Sequence, residues 1–454
     1  MANLLEKVYS SNPWFEQAQF IEDDLHLRDL SESKYVFLNR EFLDYKFRDG
    51  VYIATGPRQI GKTTHLKLLI KQKISTANRT NFLYFNCDLL ETKADVVDLV
   101  ETYLQNFPSK KRVFVMLDEV TSVKDSILGI KYLIDKGIKK NITYILTGSS
   151  TIEIKKTGEY LPGRRGNGID FHFAPVSFKD FVKIQYADVD FEMSAKEGLE
   201  KYYARIKNKM PLAKELDSYF FCGGIPRIVN EYLKKKEIGL ENLSLYRDWI
   251  VSEIAKNGKR ENVSKQILAR ILMSLTSDVS YNSFASDAGL GSHNTVYEYL
   301  NFLEDAFMVS QIYNYDYNQK KINFRKNKKI YFNDSFLFFL LDWWLNGKTP
   351  AIKSILEDPI LKSRIAENLT FLHLRRVFGE VYFNKDSEEV DFICGESAFE
   401  SKFQNKIAKD DYKGLLKFGG QKFVITKNIF DTRGEVRLLP LELFLLTTRI
   451  NFME

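Results

Sequence analysis

Residues 56–64 read GPRQIGKTT, and they directly follow the apolar run VYIAT at 51–55. The spacing G-x4-G-K-T is that of a phosphate-binding loop between a strand and a helix. Glycines let backbone N–H groups approach phosphate oxygens, and the amino end of the following helix adds a partial positive charge. The stretch therefore predicts a nucleoside triphosphate site at the carboxyl end of a buried strand.

Each residue type in this loop has a task in phosphate binding. Lys62 is expected to reach the β- and γ-phosphates of ATP, and the Thr63 hydroxyl is expected to ligate Mg²⁺. ATP and Mg²⁺ are thus the predicted cofactors. The residues predicted to bind the nucleotide are Gly56, Pro57, Arg58, Gln59, Ile60, Gly61, Lys62, Thr63 and Thr64.

A second apolar run, VFVML at 113–117, ends in Asp118 and Glu119. Five apolar residues in succession are typical of a parallel strand that is buried on both faces. We expect Asp118 to hold the Mg²⁺ through water and Glu119 to polarise the attacking water. Acids at a strand end are otherwise most simply solvated, but the loop upstream favours the metal-binding interpretation.

A third apolar run, ITYIL at 142–146, leads into TGSS at 147–150. Small polar residues at the carboxyl end of a sheet strand lie where ligands bind in open α/β folds. Two further motifs follow, LPGRRG at 161–166 and GGIPR at 223–227. In this order the five motifs resemble the AAA-type ATPases of the STAND-related archaeal and bacterial group.

The resemblance implies an α/β fold with a parallel sheet and several roles for residues outside the loop. Ser149 or Thr147 would sense the γ-phosphate, and Pro226 would lie near the adenine. Arg164 and its neighbour Arg165 are candidates to present positive charge to the γ-phosphate, within one subunit or to the next. A solvated turn is the alternative for these arginines, and Arg227 is a comparable candidate.

Composition excludes several classes of protein. The 454 residues are too many for one core and suggest roughly three domains, while the net charge of +6 is too small to indicate nucleic-acid binding by itself. Three well-separated cysteines and five histidines argue against a disulfide framework and structural zinc. The most apolar run, 336–345, is too short to span a bilayer. We expect a cytoplasmic protein with no membrane segment.

The middle of the chain predicts a winged helix. Residues 283–290 and 294–306 have helical patterns, and the segment QKKINFRKNKK at 319–329 is the expected wing. Its six basic residues, without an acid, suit non-specific contact with DNA phosphates. Two observations leave DNA contact open. Lysines also keep a strand edge soluble, and the second helix carries Glu298 and Glu304, which DNA phosphates would repel.

Residues 388–403, EEVDFICGESAFESKF, predict a hairpin with a two-residue turn at Gly395. This turn pairs residue 394 with residue 397, so Asp391 falls opposite Glu400 and Lys402 lies on the same face. Two carboxylates and a lysine that converge in this way can hold Mg²⁺ and orient a hydrolytic water.

The hairpin resembles the PD-(D/E)xK nuclease fold, here of the DUF4143 type. The helical segment 364–377 would supply the acid Glu367 that precedes the hairpin. The resemblance implies Glu367, Asp391 and Glu400 as metal ligands, with Glu400 and Lys402 as catalytic residues. This fold also occurs as a binding module without cleavage, so both outcomes stay open.

The expected architecture is an α/β chain of four segments. A nucleotide-dependent ATPase that acts on or senses DNA is the leading hypothesis, with an ATP-gated nuclease as its sharpest form. A regulatory ATPase that binds protein partners, with the nuclease fold as a scaffold, is the alternative. A small-molecule kinase would leave the winged helix and the hairpin at 388–403 unexplained. The expected segments are a P-loop ATPase domain at 1–180, a helical lid at 181–260, a winged helix at 261–333 and a nuclease-like domain at 334–454.

Overall fold

A computed structural model describes residues 4–138, 140–148, 161–194, 196–317, 319–385 and 388–447. The chain divides into two compact units. The first consists of Met1–Ala174 with Asp305–Phe307, and the second of Pro175–Glu304 with Met308–Glu454. Most of the expected ATPase domain, 1–174, lies in the first unit, and most of the other three expected segments lies in the second. The four predicted segments stay a prediction.

The first unit contains a parallel sheet with helices around it. Its described helices are α1 (Leu4–Ser11), α2 (Leu25–Glu32), α3 (Arg40–Leu43), α4 (Lys62–Ile74), α5 (Lys93–Asn106) and α6 (Ser126–Asp135). Its described strands are β1 (Gly50–Thr55), β2 (Phe82–Asn86), β3 (Val113–Asp118), β4 (Ile142–Gly148) and β5 (Asp170–His172).

The strand order is β2-β3-β4-β1-β5, and every neighbouring pair is parallel. Each residue of β3 and of β4 is buried, which explains why both strands are almost entirely apolar. Because β4 lies between β1 and β3, the carboxyl ends of all three strands meet at one edge. The phosphate-binding loop leaves β1 at this edge, which therefore carries the candidate site.

The second unit holds helices and a mixed sheet. Its helices in the described part are α7 (Phe178–Lys183), α8 (Leu199–Lys207), α9 (Leu212–Cys222), α10 (Pro226–Lys235), α11 (Leu240–Lys256), α12 (Glu261–Ser274), α13 (Tyr281–Asp287), α14 (His293–Asp305), α15 (Phe336–Asn346), α16 (Ile352–Glu357), α17 (Pro359–Phe378), α18 (Lys413–Leu416) and α19 (Leu441–Leu446). Its strands are β6 (Asp278–Val279), β7 (Val309–Asp316), β8 (Lys321–Phe332), β9 (Tyr382–Lys385), β10 (Glu389–Cys394), β11 (Ser397–Lys402), β12 (Gln421–Thr426), β13 (Asp431–Arg433) and β14 (Val436–Pro440).

These nine strands have the order β13-β14-β12-β11-β10-β9-β7-β8-β6. The hairpin β10–β11 pairs antiparallel, and β11, β12 and β14 then pair in parallel. The strands of the expected wing, β7 and β8, belong to the same sheet, because β7 pairs with β9 at Asn314 and Phe383. One sheet therefore links the expected winged helix to the expected nuclease-like domain, with no break near residue 333.

Within the described residues, no helix is both long and apolar enough to cross a membrane. Cys87, Cys222 and Cys394 are buried thiols that are not joined in disulfides. The expected absence of a disulfide framework agrees with this arrangement.

Candidate functional site

The phosphate-binding loop requires glycine at two positions. Gly56 has φ +154°, and a Cβ atom there would lie 2.2 Å from the carbonyl oxygen of Phe173. Gly61 has φ +90° and immediately precedes α4. An L side chain at either position would strain the backbone or displace a neighbouring strand. The two glycines thus fix the turn that joins β1 to α4.

Lys62 is the first residue of α4, and only 5% of it is exposed. Its Nζ donates to the carbonyl oxygens of Gly56 and Pro57, each at 2.9 Å. The same atom lies 3.8 Å from Oε1 of Glu119. The ammonium therefore lies inside the turn of the loop, beside the acid that the sequence assigns to water activation.

Asp118 is the centre of a hydrogen-bond network at the carboxyl end of β3. Oδ2 accepts from the Thr63 hydroxyl at 2.6 Å and from the Tyr84 hydroxyl at 2.9 Å. Oδ1 accepts from the Thr147 hydroxyl. Three donors from three elements thus orient one buried carboxylate, and the two predicted metal-binding residues, Thr63 and Asp118, are in direct contact.

Glu119 follows Asp118 with a left-handed backbone conformation, φ +49°. Its N–H donates to the Thr147 hydroxyl at 3.0 Å. Thr147 therefore connects both acids, since its hydroxyl donates to Asp118 and accepts from Glu119. Of the two predicted γ-phosphate sensors, Thr147 is in the site, and Ser149 lies outside the described residues.

Sequence reasoning missed two residues of this site, His65 and Tyr84. His65 Nε2 accepts from the N–H of Asn39 at 2.8 Å, so its proton is on Nδ1, which lies 2.7 Å from the Gly61 carbonyl oxygen. Burial lowers the pKa of His65, which keeps the ring neutral. Burial and the adjacent Asp118 raise the pKa of Tyr84, which remains a phenol donor. Neither residue stands out from the pattern around it, although His65 follows the loop motif directly.

The donor set of this edge fits a magnesium nucleotide. Mg²⁺ in proteins is typically held by a hydroxyl, one or two carboxylates and the phosphates of its nucleotide. Thr63 and Asp118 would hold the ion, and Lys62 with the loop backbone would hold the phosphates. Gly56 has no side chain, and a Cβ there would clash with Phe173. The backbone of the loop is therefore not covered by a side chain at this residue.

Arg164 and Arg165 lie away from this edge of the sheet. Arg164 Nε pairs with Asp135, the last residue of α6, at 2.7 Å. The carbonyl oxygen of Arg165 accepts from Val51 N–H, at the amino end of β1. The loop leaves the opposite end of β1, about 15 Å along the strand. The expectation that Arg164 or Arg165 acts on the nucleotide of its own subunit does not fit this geometry, and an action on a neighbouring subunit stays a prediction.

Pro226 begins α10 in the second unit. The preceding glycines pack against Asp334, since Gly224 N–H donates to its carboxylate at 2.8 Å and a Cβ on Gly223 would clash with it. Burial raises the pKa of Asp334 to about 7. A Cβ on Gly224 would lie 2.3 Å from the carbonyl oxygen of Val176, so packing accounts for both glycines. The position of Pro226 near the adenine stays a prediction. Arg227 bonds to Asn242 at 2.7 Å.

A second cluster of charged side chains surrounds the C-terminal hairpin. Residue 394 pairs with residue 397, and Gly395 has φ +58°, so the register predicted from the turn is confirmed. Lys402 Nζ lies 2.9 Å from Glu400 and 3.8 Å from Asp391. The cluster borders a polar cleft of about 330 Å³. The three predicted hairpin residues thus converge as expected.

Sequence reasoning missed the central cation of this cluster, which is Lys329. Its Nζ lies 2.8 Å from Asp391, 2.8 Å from Glu389 and 3.5 Å from Glu367. Only 1% of the side chain is exposed. The sequence interpretation had placed this lysine in the wing, on the surface, and that assignment is wrong.

The protonation states of the cluster are unequal. Against the effect of burial, Lys329 and Lys402 hold the pKa of Asp391 below its ordinary value. Burial and the charge of Asp391 raise the pKa of Glu400 well above its ordinary value, and they raise that of Glu367 to about 7. The pKa of Asp391 is thus shifted down and those of Glu367 and Glu400 are shifted up, although all three carboxyl groups lie beside Lys329 or Lys402.

The carboxylates of this cluster do not form the predicted metal site. Among the residues that the structure describes, no group of three or more His, Cys, Asp or Glu side chains is arranged to hold a metal ion. The physical reason is the position of Lys329, whose ammonium lies between Asp391 and Glu367. The prediction of Glu367, Asp391 and Glu400 as joint metal ligands is corrected accordingly.

The basic wing is smaller than the sequence indicates. Lys328, like Lys329, is buried, and its Nζ donates to the carbonyl oxygen of Phe324 at 2.8 Å. Residues 324–327 form a bulge in β8 between the ladder pairs Tyr313–Lys328 and Asn314–Asn323. The side chain of Phe324 is 63% exposed. The wing residues that remain exposed and basic are Lys320, Lys321, Arg325 and Lys326.

Comparison with known proteins supports the assignment of the first unit. A family model described as an AAA domain matches residues 48–182, which contain the loop, both acids and Thr147. Residues 48–182 are thus similar in sequence to AAA-type domains, and the described strands among them form the parallel sheet of a P-loop fold. A second model, a domain of unknown function (DUF8612), matches residues 213–346 and crosses the expected boundaries at 260 and 333. These matches support neither the STAND-related group nor a DUF4143-type domain.

Two curated relatives extend over most of the chain. An uncharacterized protein of Methanocaldococcus jannaschii is 27% identical over 374 residues, which are 79% of this chain and 76% of that protein. An uncharacterized protein of Haemophilus influenzae is 23% identical over 372 residues, or 78% of this chain and 82% of that protein. The similarity to each relative therefore extends well beyond the length of the segment 48–182.

Similarity to solved structures is weaker. The RuvB Holliday junction branch migration motor of Thermotoga maritima is 17% identical with a TM-score of 0.30, covering 65% of this chain and 91% of that one. The ORC1 protein of Aeropyrum pernix, solved in complex with DNA, is 12% identical with a TM-score of 0.34, covering 72% and 95%. Likenesses at this level carry no argument about the activity of this chain.

Proposed function

We propose that this protein is a Mg²⁺-dependent ATPase whose second unit contacts nucleic acid. The ATPase activity is supported mainly by the hydrogen-bond network at the carboxyl edge of the first sheet, which joins Thr63, Asp118 and Thr147. Lys62 holds the phosphates, Thr63 and Asp118 hold the metal ion, and Glu119 orients the attacking water. Mg²⁺ held by these residues would neutralise charge on the phosphates while the γ-phosphoryl group is transferred to water. We place this activity in the cytoplasm.

The ATPase proposal is tested by hydrolysis and nucleotide binding in matched variants. Lys62→Ala is expected to lose hydrolysis, and Glu119→Gln is expected to bind ATP but to hydrolyse it about 10²–10⁴-fold more slowly. Lys71→Ala is the control, because Lys71 lies on the same helix and pairs with Glu22 at the surface. Hydrolysis at the wild-type rate by Lys62→Ala would refute the proposed site.

The nucleic-acid part of the proposal is supported by the bulge of β8. Arg325 and Lys326 are exposed directly beside the exposed ring of Phe324. Basic side chains bind phosphates, and an aromatic ring stacks on bases without regard to sequence. This combination suits single-stranded nucleic acid bound with little sequence preference.

Its test is the salt dependence of binding to labelled single-stranded and duplex DNA. Arg325→Ala/Lys326→Ala should reduce the slope of log K against log salt by about 1.4–1.8, since each phosphate contact contributes about 0.7–0.9. Phe324→Ala should weaken binding to single strands more than to duplex. Lys353→Ala, at an exposed lysine of α16, is the control. Equal slopes for the double variant and the wild type would exclude the bulge as the contact surface.

A regulatory ATPase that binds protein partners is the second candidate. It is favoured by the exposed acid Glu298 on α14, the helix expected to enter a DNA groove, where phosphates would repel it. Lys259 pairs with this carboxylate at 3.3 Å and offsets its charge only in part. Failure of the wild type to bind any DNA at low ionic strength, with ATP hydrolysis intact, would favour this second function.

A further inference from the structure

Lys329 is the side chain around which the carboxylates of the second unit are arranged. Its Nζ is 2.8 Å from Oδ1 of Asp391 and 2.8 Å from Oε1 of Glu389, with Glu367 at 3.5 Å. An ammonium has three N–H donors, and three carboxylates face it here. The hydrogen-bonding capacity of this buried cation is therefore matched by these neighbours.

The remaining oxygen of Asp391 also has donors. Oδ2 accepts from the N–H of Ser401 at 3.1 Å and lies 3.8 Å from Nζ of Lys402. Lys402 is further bound to Glu400 at 2.9 Å. Both oxygens of the central carboxylate are thus engaged by groups of this chain.

The backbone of Lys329 is held in place from both sides. It pairs with Ile312 of β7 and with Asp278 of β6, both in antiparallel ladders. Two residues further along β8, the hydroxyl of Tyr331 donates to Glu367 at 2.8 Å. The strand is therefore fixed in this register, which holds the Cα of Lys329 beside the cluster.

A divalent ion does not fit this arrangement. Mg²⁺ binds carboxylate oxygens at about 2.1 Å and requires near-octahedral geometry. An ion on Asp391 and Glu367 would have to share their oxygens with Lys329 and would be repelled by its charge. The nuclease resemblance implies a metal at this position, and the residues present already supply a cation.

We propose that Lys329 is an internal cation that takes the place of a divalent metal beside Glu367 and Asp391, so that this cluster, which also includes Glu389 and Glu400, is a metal-independent scaffold and not a nuclease centre. The proposal does not depend on ATP hydrolysis by the first unit. It predicts that removal of the ammonium converts the cluster into a metal site.

The test is Mn²⁺ binding to the full chain without nucleotide, measured by calorimetry and by electron paramagnetic resonance. Lys329→Met should bind one additional Mn²⁺ per chain, and Lys329→Met/Asp391→Asn should lose it. Lys328→Met is the matched control, because Lys328 is a buried neighbour that bonds to Phe324 instead of the carboxylates. Circular dichroism establishes that each variant is folded.

If Lys329→Met does not fold, Mn²⁺ binding to the wild type tests the proposal instead. This binding should then be unchanged by Glu400→Gln, a substitution that keeps the shape of the side chain. The proposal is overturned if wild-type binding depends on Glu400, if the folded Lys329→Met gains no ion, or if the wild type cleaves DNA with Mg²⁺ or Mn²⁺ in a manner that Glu400→Gln abolishes.

Discussion

Thr147 couples the two acids of the nucleotide site, because one hydroxyl donates to Asp118 and accepts from the N–H of Glu119. Thr147→Val keeps the shape of the side chain and removes both bonds. We expect ATP turnover to fall by about 10–100-fold, the size typical of a misplaced catalytic group, while ATP affinity changes little. Thr147→Ser should restore turnover, which a purely structural role of the methyl group would not allow.

The control for this prediction is Thr143→Val on the same strand, β4. The Thr143 hydroxyl donates to the Arg48 carbonyl oxygen at 2.9 Å, at the far end of the sheet from the loop. It should lower stability without a specific loss of turnover. Equal losses of turnover in Thr143→Val and Thr147→Val would contradict the role given to Thr147.

Glu367 makes the stability of the second unit depend on pH. Burial raises its pKa to about 7 in the folded protein, from an ordinary value of 4.5. The folded state therefore binds a proton more tightly than the unfolded state, and this contribution is lost as pH rises from about 4.5 through about 7. Glu367→Gln cannot titrate, and its free energy of unfolding should fall less than that of the wild type between pH 5 and pH 7.5.

Urea unfolding at several pH values measures this difference, which we expect to be about 2 kcal/mol between pH 5 and pH 7.5, since a change of one pH unit in a pKa corresponds to about 1.4 kcal/mol. Asp334, with a pKa raised to about 7 by burial, changes in the same direction in both proteins. His373, whose pKa burial lowers to about 3, acts in the opposite direction, again equally in both. Parallel pH profiles would show that Glu367 does not titrate in this range.

At the scale of elements, Asn368 of α17 is a buried side chain that bonds to the backbone of β8. Asn368 accepts from the N–H of Phe332 at 2.8 Å and donates to its carbonyl oxygen at 3.0 Å. Asn368→Ala would leave both backbone groups without these bonds in a buried position, so we expect a loss of about 3 kcal/mol of unfolding free energy. Asn346→Ala, at an exposed position of α15, should change it by less than about 0.5 kcal/mol. A small effect of Asn368→Ala would mean that β8 and α17 are held together by other contacts, such as the bond from Tyr331 to Glu367.

Elements and clusters differ in how far the sequence predicts them. The register of β10 and β11 follows from the two-residue turn at Gly395, because a tight turn fixes pairing within a few residues. The carboxyl edge of the first sheet is predicted equally well, since the loop motif and the acids after β3 have recognisable local patterns. Lys329 is not, because its contact with Asp391 spans 62 residues and its own segment has the pattern of an exposed wing.

Contacts between residues distant in sequence also explain why the predicted role of Arg164 and Arg165 does not fit the structure. The segment 161–166 has the composition of a ligand-binding loop, yet the tertiary pairing of Arg164 with Asp135 places it at the amino end of the strands. A motif fixes residue types and spacing, whereas the end of the sheet at which a long loop returns depends on the whole domain. A residue near a motif in sequence is therefore a weak candidate until the topology is known.

On the scale of the whole molecule, the nucleotide site and the charged cluster belong to different compact units. Loop residues 56–64, Asp118 and Thr147 are all in the first unit, whereas Lys329 and the hairpin are in the second. Magnesium nucleotide should therefore stabilise the first unit, by about 2.7 kcal/mol at a concentration 100 times the Kd. A pH change from 5 to 7.5, which acts through Glu367, should instead alter the stability of the second unit.

Hydrogen exchange measured by mass spectrometry separates these effects by segment. A non-hydrolysable ATP analogue with Mg²⁺ should slow exchange in 50–64, 113–119 and 142–148 of the wild type and not of Lys62→Ala. Glu367→Gln should alter the pH response of peptides from 321–332 and 389–402 and leave the nucleotide response intact. If the analogue protected 389–402 as strongly as the loop, the cluster would be coupled to the nucleotide state. The charged cluster would then respond to nucleotide binding in the first unit, and Lys329 would be the first residue to substitute in a test of that response.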